Sequence, residues 1–491
     1  MASICSVAKG DYNLAKKYYK NNNYEAAAAH YFSSFKRSKS KTIKIKSEWG
    51  LAQSLSKLGL YYSSSKYYSV IVRRGRKKSN PFFRNALENL GKINSRISLG
   101  QSHIVQLFKA RIRSSDVPGP ARGFYFYYLG VEAFGSRKLE RAKSFFVKVP
   151  AGSSYYLGSI FHLGVIANLS GNHSRAITHF QRVISGIGNK TKYREMKESA
   201  YMNIARVHYE TKKYSQAINY YGQVPRHSEN WLDAIWESSW AFFFMEKFNN
   251  TLGNIHTIHS PFFIDRFYPE SYILQAITFL KLCRFDQVKE SMKRFKDTYT
   301  PVFKDVKSML GKLEGDPRGF FKIVYQYKTS NLNRYTYARQ ILKQLSFTDA
   351  YKGATDTIRF ADRELALLED YQRWRPSGLL RSINDFLKSK KKVAIKDAGR
   401  RLFRLGATYY SQLLELSNQT KLIVAEMQLG KLAKLRSKIN VDKDYNKVQF
   451  IGGLQKLNIG QSLEYWPFQS EYWDDELGYY VYNLNSKCAK K

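Results

Sequence analysis

The chain has 491 residues, with 81 Lys and Arg against 39 Asp and Glu, a formal net charge of +42. Apolar residues reach 43 %, which excludes a disordered chain, and only 11 Pro interrupt it, as an all-helical protein requires. No run of 18 apolar residues occurs, which excludes a transmembrane helix, and three cysteines are too few for a disulfide framework and fit no zinc spacing.

Such a positive field attracts polyanions: nucleic acid, anionic lipid, acidic glycans or an acidic protein. The plainer reading is that the charge serves solubility, because the basic residues are spread along the whole chain. Met1-Ala2-Ser3-Ile4 runs straight into charged helix with no signal peptide, a start that suits a cytosolic protein or a mature exported chain equally.

In chain order, Leu14, Ala15, Tyr24, Ala27 and Tyr31 predict a first helical hairpin, with Asn21-Asn22-Asn23 as its turn because Asn tolerates left-handed backbone angles. Leu51, Ala52, Leu55, Tyr61, Ser64 and Tyr68 predict a second, and the basic turn Lys36–Lys41 separates the two. A degenerate helix pair spans Pro81 to Ile112. Ser114 to Pro120 is the strongest breaker and predicts a hinge or subdomain boundary.

The clearest pattern follows. Phe126, Leu129, Gly130, Ala142 and Phe146 recur 34 residues later as Ile160, Leu163, Gly164, Ala176 and Phe180. After 41 more the slots hold Tyr201, Ile204, Ala205, Ala217 and Tyr221, and after a further 34 they hold Ile235, Ser238, Ser239, Thr251 and Ile255. A period near 34 with small residues at two fixed slots is the mark of stacked helical hairpins. Small residues let the paired helices approach, and the aromatic fills the groove beside them. Another hairpin covers Tyr272, Ala276, Phe279, Phe285, Val288 and Met292.

From about Pro301 the spacing is lost. Leu332–Leu345, Thr355–Trp374 and Leu379–Leu387 read as further helices, and Ala398 to Leu435 as one long amphipathic helix packed on its own domain. Between Lys456 and Lys487 there is no Lys or Arg, only an acidic, aromatic block. It reads either as a cap folded back over the repeats or as a peptide that docks on another protein; the cap is preferred because a last repeat must hide its apolar face. The ranges are therefore 1–113, 121–300, 301–456 and 457–491.

No catalytic or cofactor pattern survives inspection, and no cofactor or enzyme activity is expected. Gly188-Asn189-Lys190-Thr191 lacks the glycine a phosphate loop needs, since position 185 is Ser185. His256 and His259 have no Cys or carboxylate partner within a turn, so core or surface histidines are expected there, not a metal site. Cys283 lies in an apolar helical run, Ile273 to Leu282, and reads as a small core residue. Cys5 and Cys488 near the two ends read as two unpaired thiols, with a bond between them in an oxidising compartment as the alternative.

Two basic segments stand out: Arg73, Arg74, Arg76, Lys77 and Lys78 after the second hairpin, and Lys390, Lys391 and Lys392 with Lys388 between C-terminal helices. They suit phosphate contacts, and the interleaved aromatics would suit stacking on single-stranded bases. Against this, most aromatics occupy packing slots of the repeats.

The repeats resemble the tetratricopeptide family over about residues 11–300, best over 123–255. The resemblance implies an all-α, right-handed superhelix of helical hairpins, here with an added helical C-terminal domain, that binds protein on its concave face. Phe126, Ile160, Tyr201 and Ile235 stand where the family has Trp, and one repeat has Ser and Thr in its small slots. Family peptide-binding positions therefore do not carry over directly. On that face the expected contacts are Asn203, Arg206 and Tyr209.

The run from Tyr465 to Tyr480 resembles the ending of large envelope repeat proteins of predatory and gliding bacteria, some linked to gliding motility. It implies a periplasmic or cell-envelope scaffold, and so favours an exported chain and a Cys5–Cys488 bond. The reading is a non-catalytic protein-interaction scaffold. The alternatives are a cytosolic nucleic-acid-binding or regulatory protein using the two basic segments, and a binder of anionic membrane, wall or lipid polymers.

Overall fold

The computed structural model describes residues 2–109, 112–329, 335–439, 472 and 474–488. Among them every regular element is helical, and no strand is found. The hairpin helices run α1 (Ala2–Lys20), α2 (Tyr24–Arg37), α3 (Lys41–Lys57), α4 (Tyr61–Arg73), α5 (Phe83–Asn94), α6 (Gln101–Lys109), α7 (Arg122–Gly135) and α8 (Leu139–Phe146). They continue as α9 (Tyr156–Leu169), α10 (His173–Ile187), α11 (Arg194–Glu210), α12 (Tyr214–Tyr221), α13 (Trp231–Phe244), α14 (Phe248–Ile258), α15 (Glu270–Lys281) and α16 (Phe285–Lys312). Four more follow among the described residues: α17 (Pro317–Thr329), α18 (Arg339–Ser346), α19 (Asp349–Leu367) and α20 (Leu379–Ile439). The protein is an all-α repeat of tetratricopeptide-like hairpins.

The small slots have a direct cause. A β-carbon on Gly130 would come within 2.6 Å of the Phe146 ring, and one on Gly164 within 2.8 Å of the Phe180 ring. Each aromatic thus lies flat against bare backbone of the preceding helix, and Phe146 and Phe180 are fully buried. The hairpin turns share a device too. Asn22, Arg137, Lys212, Glu246 and Cys283 all take the left-handed backbone conformation. In the first turn the Asn23 side chain caps α2 by accepting from the Ala26 amide at 3.0 Å.

Cys283 is therefore not the core residue expected from its apolar neighbours. It occupies the turn between α15 and α16, half-buried, where a side chain points away from the helix pair.

The chain divides into two compact units. The first comprises Met1–Val207, Leu313–Asn331 and Leu345–Leu405; the second comprises His208–Lys312, Leu332–Gln344 and Gly406–Lys491. This grouping crosses the ranges drawn from sequence. Ser114–Asp116 and Gly119–Ala121, where a boundary was expected, are two short 3-10 turns inside the first unit.

In the first unit, α19 and the start of α20 return to the earliest hairpins. The Glu364 carboxylate accepts from the amides of Tyr62 at 2.5 Å and Ser63 at 3.0 Å and from the Ser63 hydroxyl at 2.6 Å. It thereby satisfies free N–H groups at the start of α4. Trp374, fully buried, donates its indole N–H to the Glu25 carbonyl at 3.0 Å. Ala361, Leu368, Leu379, Ile383 and Leu387 share one core with Ala27, Leu51, Leu55 and Ile71.

The long helix is longer than expected. Lys388–Lys392, read as a connection between helices, lies inside α20, because Lys is a good helix former and no Gly or Pro interrupts the run. Likewise α16 continues through Pro301. No helix among the described residues is long and apolar enough to cross a membrane.

Candidate functional site

In the second unit the described part of the acidic tail, Tyr472 and residues 474–488, lies along α13, α14 and the α15–α16 turn. All eight residues from Thr251 to Ile258 of α14 are buried. A helix covered by hairpin neighbours alone leaves a polar face exposed. Here the tail covers that face.

The segment enters with Tyr472 stacked on the His256 imidazole, ring centres 4.3 Å apart. Tyr480 and Tyr482 meet the same imidazole edge-on at 4.8 and 5.9 Å. Burial pushes the Tyr472 phenol up to about 12 and raises that of Tyr482, so both stay neutral. Asp474 pairs with Arg226 at 3.0 Å, and Leu477 is buried. Gly478 donates its amide to the Thr257 hydroxyl at 2.9 Å.

Beyond Gly478 the contacts address the backbone. The Tyr482 amide donates to the Asn249 carbonyl at 3.1 Å. The Asn249 side chain accepts from the Leu484 amide at 3.0 Å and donates to the Leu484 carbonyl at 3.3 Å. One carboxamide thus reads both polar groups of one residue, as a neighbouring strand would. Arg284 grips the Asn485 carbonyl with two N–H groups at 3.1 and 2.9 Å. The Lys487 amide donates to the Leu282 carbonyl at 2.9 Å, and Cys488 is joined to Cys283 by a disulfide.

That bond overturns both the unpaired Cys488 and the alternative Cys5–Cys488 bond. The sulfur of Cys488 is committed to the turn cysteine, which the docked segment brings within a Cα–Cα distance of 4.9 Å. Sequence spacing carried no information on this, because the contact spans 205 positions.

Beside the segment, a cavity of about 350 Å³ is lined by Tyr221, Trp231, Phe242 and Asn254 and walled on one side by Leu477 and Gly478. Asn254 is held in its wall by hydrogen bonds to Ser238 at 2.9 Å and to the Ile235 carbonyl at 3.1 Å.

The residues expected from sequence to contact a partner all lie on α11. Asn203 is half-buried and donates to the Ser199 carbonyl at 2.8 Å, Arg206 is exposed, and Tyr209 packs edge-on against Tyr214 and Phe244. Burial pushes the Tyr209 phenol up to about 12. His256 and His259 are side-chain packing elements. His259 is hydrogen-bonded to Ser271 at 2.7 Å and, held down by burial, keeps its pKa at about 3.

The basic segments are partly neutralised. Arg74 pairs with the buried Glu48, Arg76 with Asp116 at 3.2 Å, and Lys391 with Asp362. Lys77, Lys78 and Lys392 are exposed. The resemblance to envelope proteins rests on Tyr465–Tyr480, most of which lies outside the described residues.

Sequence reasoning missed Asn249, Gly253 and Arg284. One signal was present: the repeat that departs from the pattern, with Ser238, Ser239 and Thr251 in its small slots, is the hairpin on which the segment lies.

The fold and this groove define an all-α helical-hairpin repeat protein with a peptide-like segment of its own chain in place. No family model matches the sequence, and no curated protein matches it. Among solved structures, a tetratricopeptide repeat protein from Parabacteroides merdae ATCC 43184 is 13 % identical, over 52 % of this chain and 92 % of that one, with a TM-score of 0.32. Yeast Tom70 is 12 % identical, over 89 % and 97 %, with a TM-score of 0.20. A putative kinesin light chain with nearly identical TPR-like repeats, from Podospora anserina, is 14 % identical, over 44 % and 92 %, with a TM-score of 0.19.

Proposed function

We propose that the chain is a non-catalytic protein-interaction scaffold whose second unit holds extended polypeptide. The observation that carries this reading is the backbone-directed grip of Asn249 and Arg284 on Leu484 and Asn485. Contacts to main-chain atoms are largely independent of the bound sequence, and main-chain recognition is a general mode of peptide binding.

The Cys283–Cys488 bond suits an oxidising compartment and so favours an exported protein over a cytosolic one. With the resemblance of the Tyr465–Tyr480 run, this favours a bacterial cell-envelope assembly, of the kind linked to gliding motility.

Two measurements test the reading. A chain lacking residues 472–488 should bind the synthetic 472–488 peptide in trans, and Asn249→Ala should weaken that binding at least tenfold. A helical, folded chain that ignores the peptide would overturn it. Protease accessibility of the native protein should appear on outer-membrane permeabilisation alone; protection until full lysis would reverse the compartment.

A further inference from the structure

The second half of α20, residues 406–439, belongs to the second unit and is apolar on two opposite sides. One side faces its own unit. Leu413, Leu416, Ile423 and Met427 are buried there, and a β-carbon on Gly430 would come within 2.9 Å of the Phe285 ring. Lys431 reaches Asp286 at 3.5 Å, and Lys434 donates to the Lys487 carbonyl at 3.0 Å. This inner face holds the helix against α16 and the docked tail.

The outer side is uncovered among the described residues. Leu422, Ala425, Leu429 and Leu432 are exposed there, Leu422 by 67 % and Leu429 by 66 %. At about 3.6 residues per turn the four fall within one quarter of the helix circumference, opposite the buried face. A leucine exposed singly needs no explanation, but this stripe leaves contiguous apolar surface in water. Leu422 and Leu429 are one heptad apart, as are Ala425 and Leu432, which is the spacing of a two-stranded coiled-coil seam.

The charges beside the stripe select what covers it. Lys421 and Glu426 flank the seam on its two sides, and both are exposed. Lys421 donates to the Asn418 side chain at 3.3 Å, and no cation pairs with Glu426 among the described residues. When two copies of this helix lie side by side in the same direction, Lys421 of each faces Glu426 of the other, twice by symmetry. In the opposite direction Glu426 would meet its own counterpart. Upstream, the seam positions hold Glu415 and Asn418, so the apolar contact ends at Lys421. Two heptads are too few for isolated peptides, which must first form helix; here the inner face has already fixed the helix and spares the contact that cost.

We propose that residues 421–435 of α20 form a parallel dimer interface with a second copy of this chain. The inference does not depend on the peptide-binding reading, since the inner face that holds the tail takes no part in it. The contact is short, so the dimer is reversible, with dissociation in the micromolar range.

Sedimentation equilibrium of the full chain across that range tests it. The expected result is a monomer–dimer equilibrium that Leu429→Glu weakens at least tenfold and that Ser417→Glu, which adds the same charge at an exposed position off the seam, leaves unchanged. Lys421→Glu should weaken the dimer by about threefold or more, and adding Glu426→Lys should restore it. A monomer at every concentration, or a dimer indifferent to Leu429→Glu, would overturn the interface. A dimer lost in Leu429→Glu yet not restored by the charge exchange would overturn the parallel pairing. Should Leu429→Glu unfold the chain, Ala425→Cys decides: mild oxidation should join two copies through this position, and no more joined chain than in the unsubstituted protein would sink the proposal.

Discussion

The carbonyl of Tyr480 passes through the space that a β-carbon on Gly253 would fill. Only glycine at this position of α14 lets the segment lie on the helix. Gly253→Ala should lift the segment without disturbing the hairpin, because Ala is the better helix former. The strain of retaining both is about 1–3 kcal/mol, or roughly 5- to 150-fold in the docked population. Chymotryptic cleavage after Tyr480 and Tyr482 should rise within that range; unchanged cleavage would show that the segment tolerates a methyl group there.

The disulfide should be the segment's main tether. Closing a loop of 205 positions stabilises a folded state by about 5 kcal/mol on the chain-entropy account. Reduction, or Cys488→Ser, should lower the thermal midpoint of the second unit, and the two should match. Denatured, unreduced protein should titrate one free thiol, since Cys283 and Cys488 account for two of the three cysteines. Three free thiols would remove the bond.

Glu364 gives the first unit a pH dependence. Burial outweighs its hydrogen bonds and raises its carboxyl to about 7, above the ordinary carboxylate value near 4.5. The folded state then binds the proton more tightly than the unfolded one. Its stabilising contribution is complete below about pH 4.5 and is lost as pH rises through 7, a fall of about 3 kcal/mol at most. Melting curves between pH 5 and 8 should show this decline, and Glu364→Gln should flatten it. The same slope in both proteins would assign the titration elsewhere.

Gly164→Val should destabilise the first unit by about 2–3 kcal/mol, because the Phe180 ring beneath it is fully buried and has nowhere to move. Gly135, with open space beside its α-carbon, serves as the control, and its replacement by Ala should be neutral or stabilising. Chemical denaturation of both variants distinguishes a packing role from a general glycine effect.

Much of the hairpin pattern was legible for the reason Gly164 illustrates. A small residue facing an aromatic sixteen positions later is a local rule, repeated along the chain, as with Gly130 and Phe146. The acidic, aromatic tail was legible as a composition change. Its berth was not, because Asn249, Leu282 and Arg284 hold it through backbone atoms, which leave no complementary pattern in sequence. The disulfide and the meeting of Glu364 with Tyr62 and Ser63 were hidden for a related cause: each joins residues hundreds of positions apart, and periodicity reports only near neighbours. The continuity of α20 through Lys388–Lys392 is not legible from charge, because a lysine run suits an exposed turn and an exposed helix equally.

The bond between Cys283 and Cys488 also sets how the molecule carries tension. The 205 positions it spans would extend to roughly 700 Å of chain at about 3.4 Å each. With the bond intact, a pull between the hairpins before Cys283 and any attachment at Cys488 runs through two sulfur atoms, and α16 to α20 bear none of it. Reduced, the same pull reaches those helices and can unspool them. One covalent link thus separates a stiff connector from a long, extensible one.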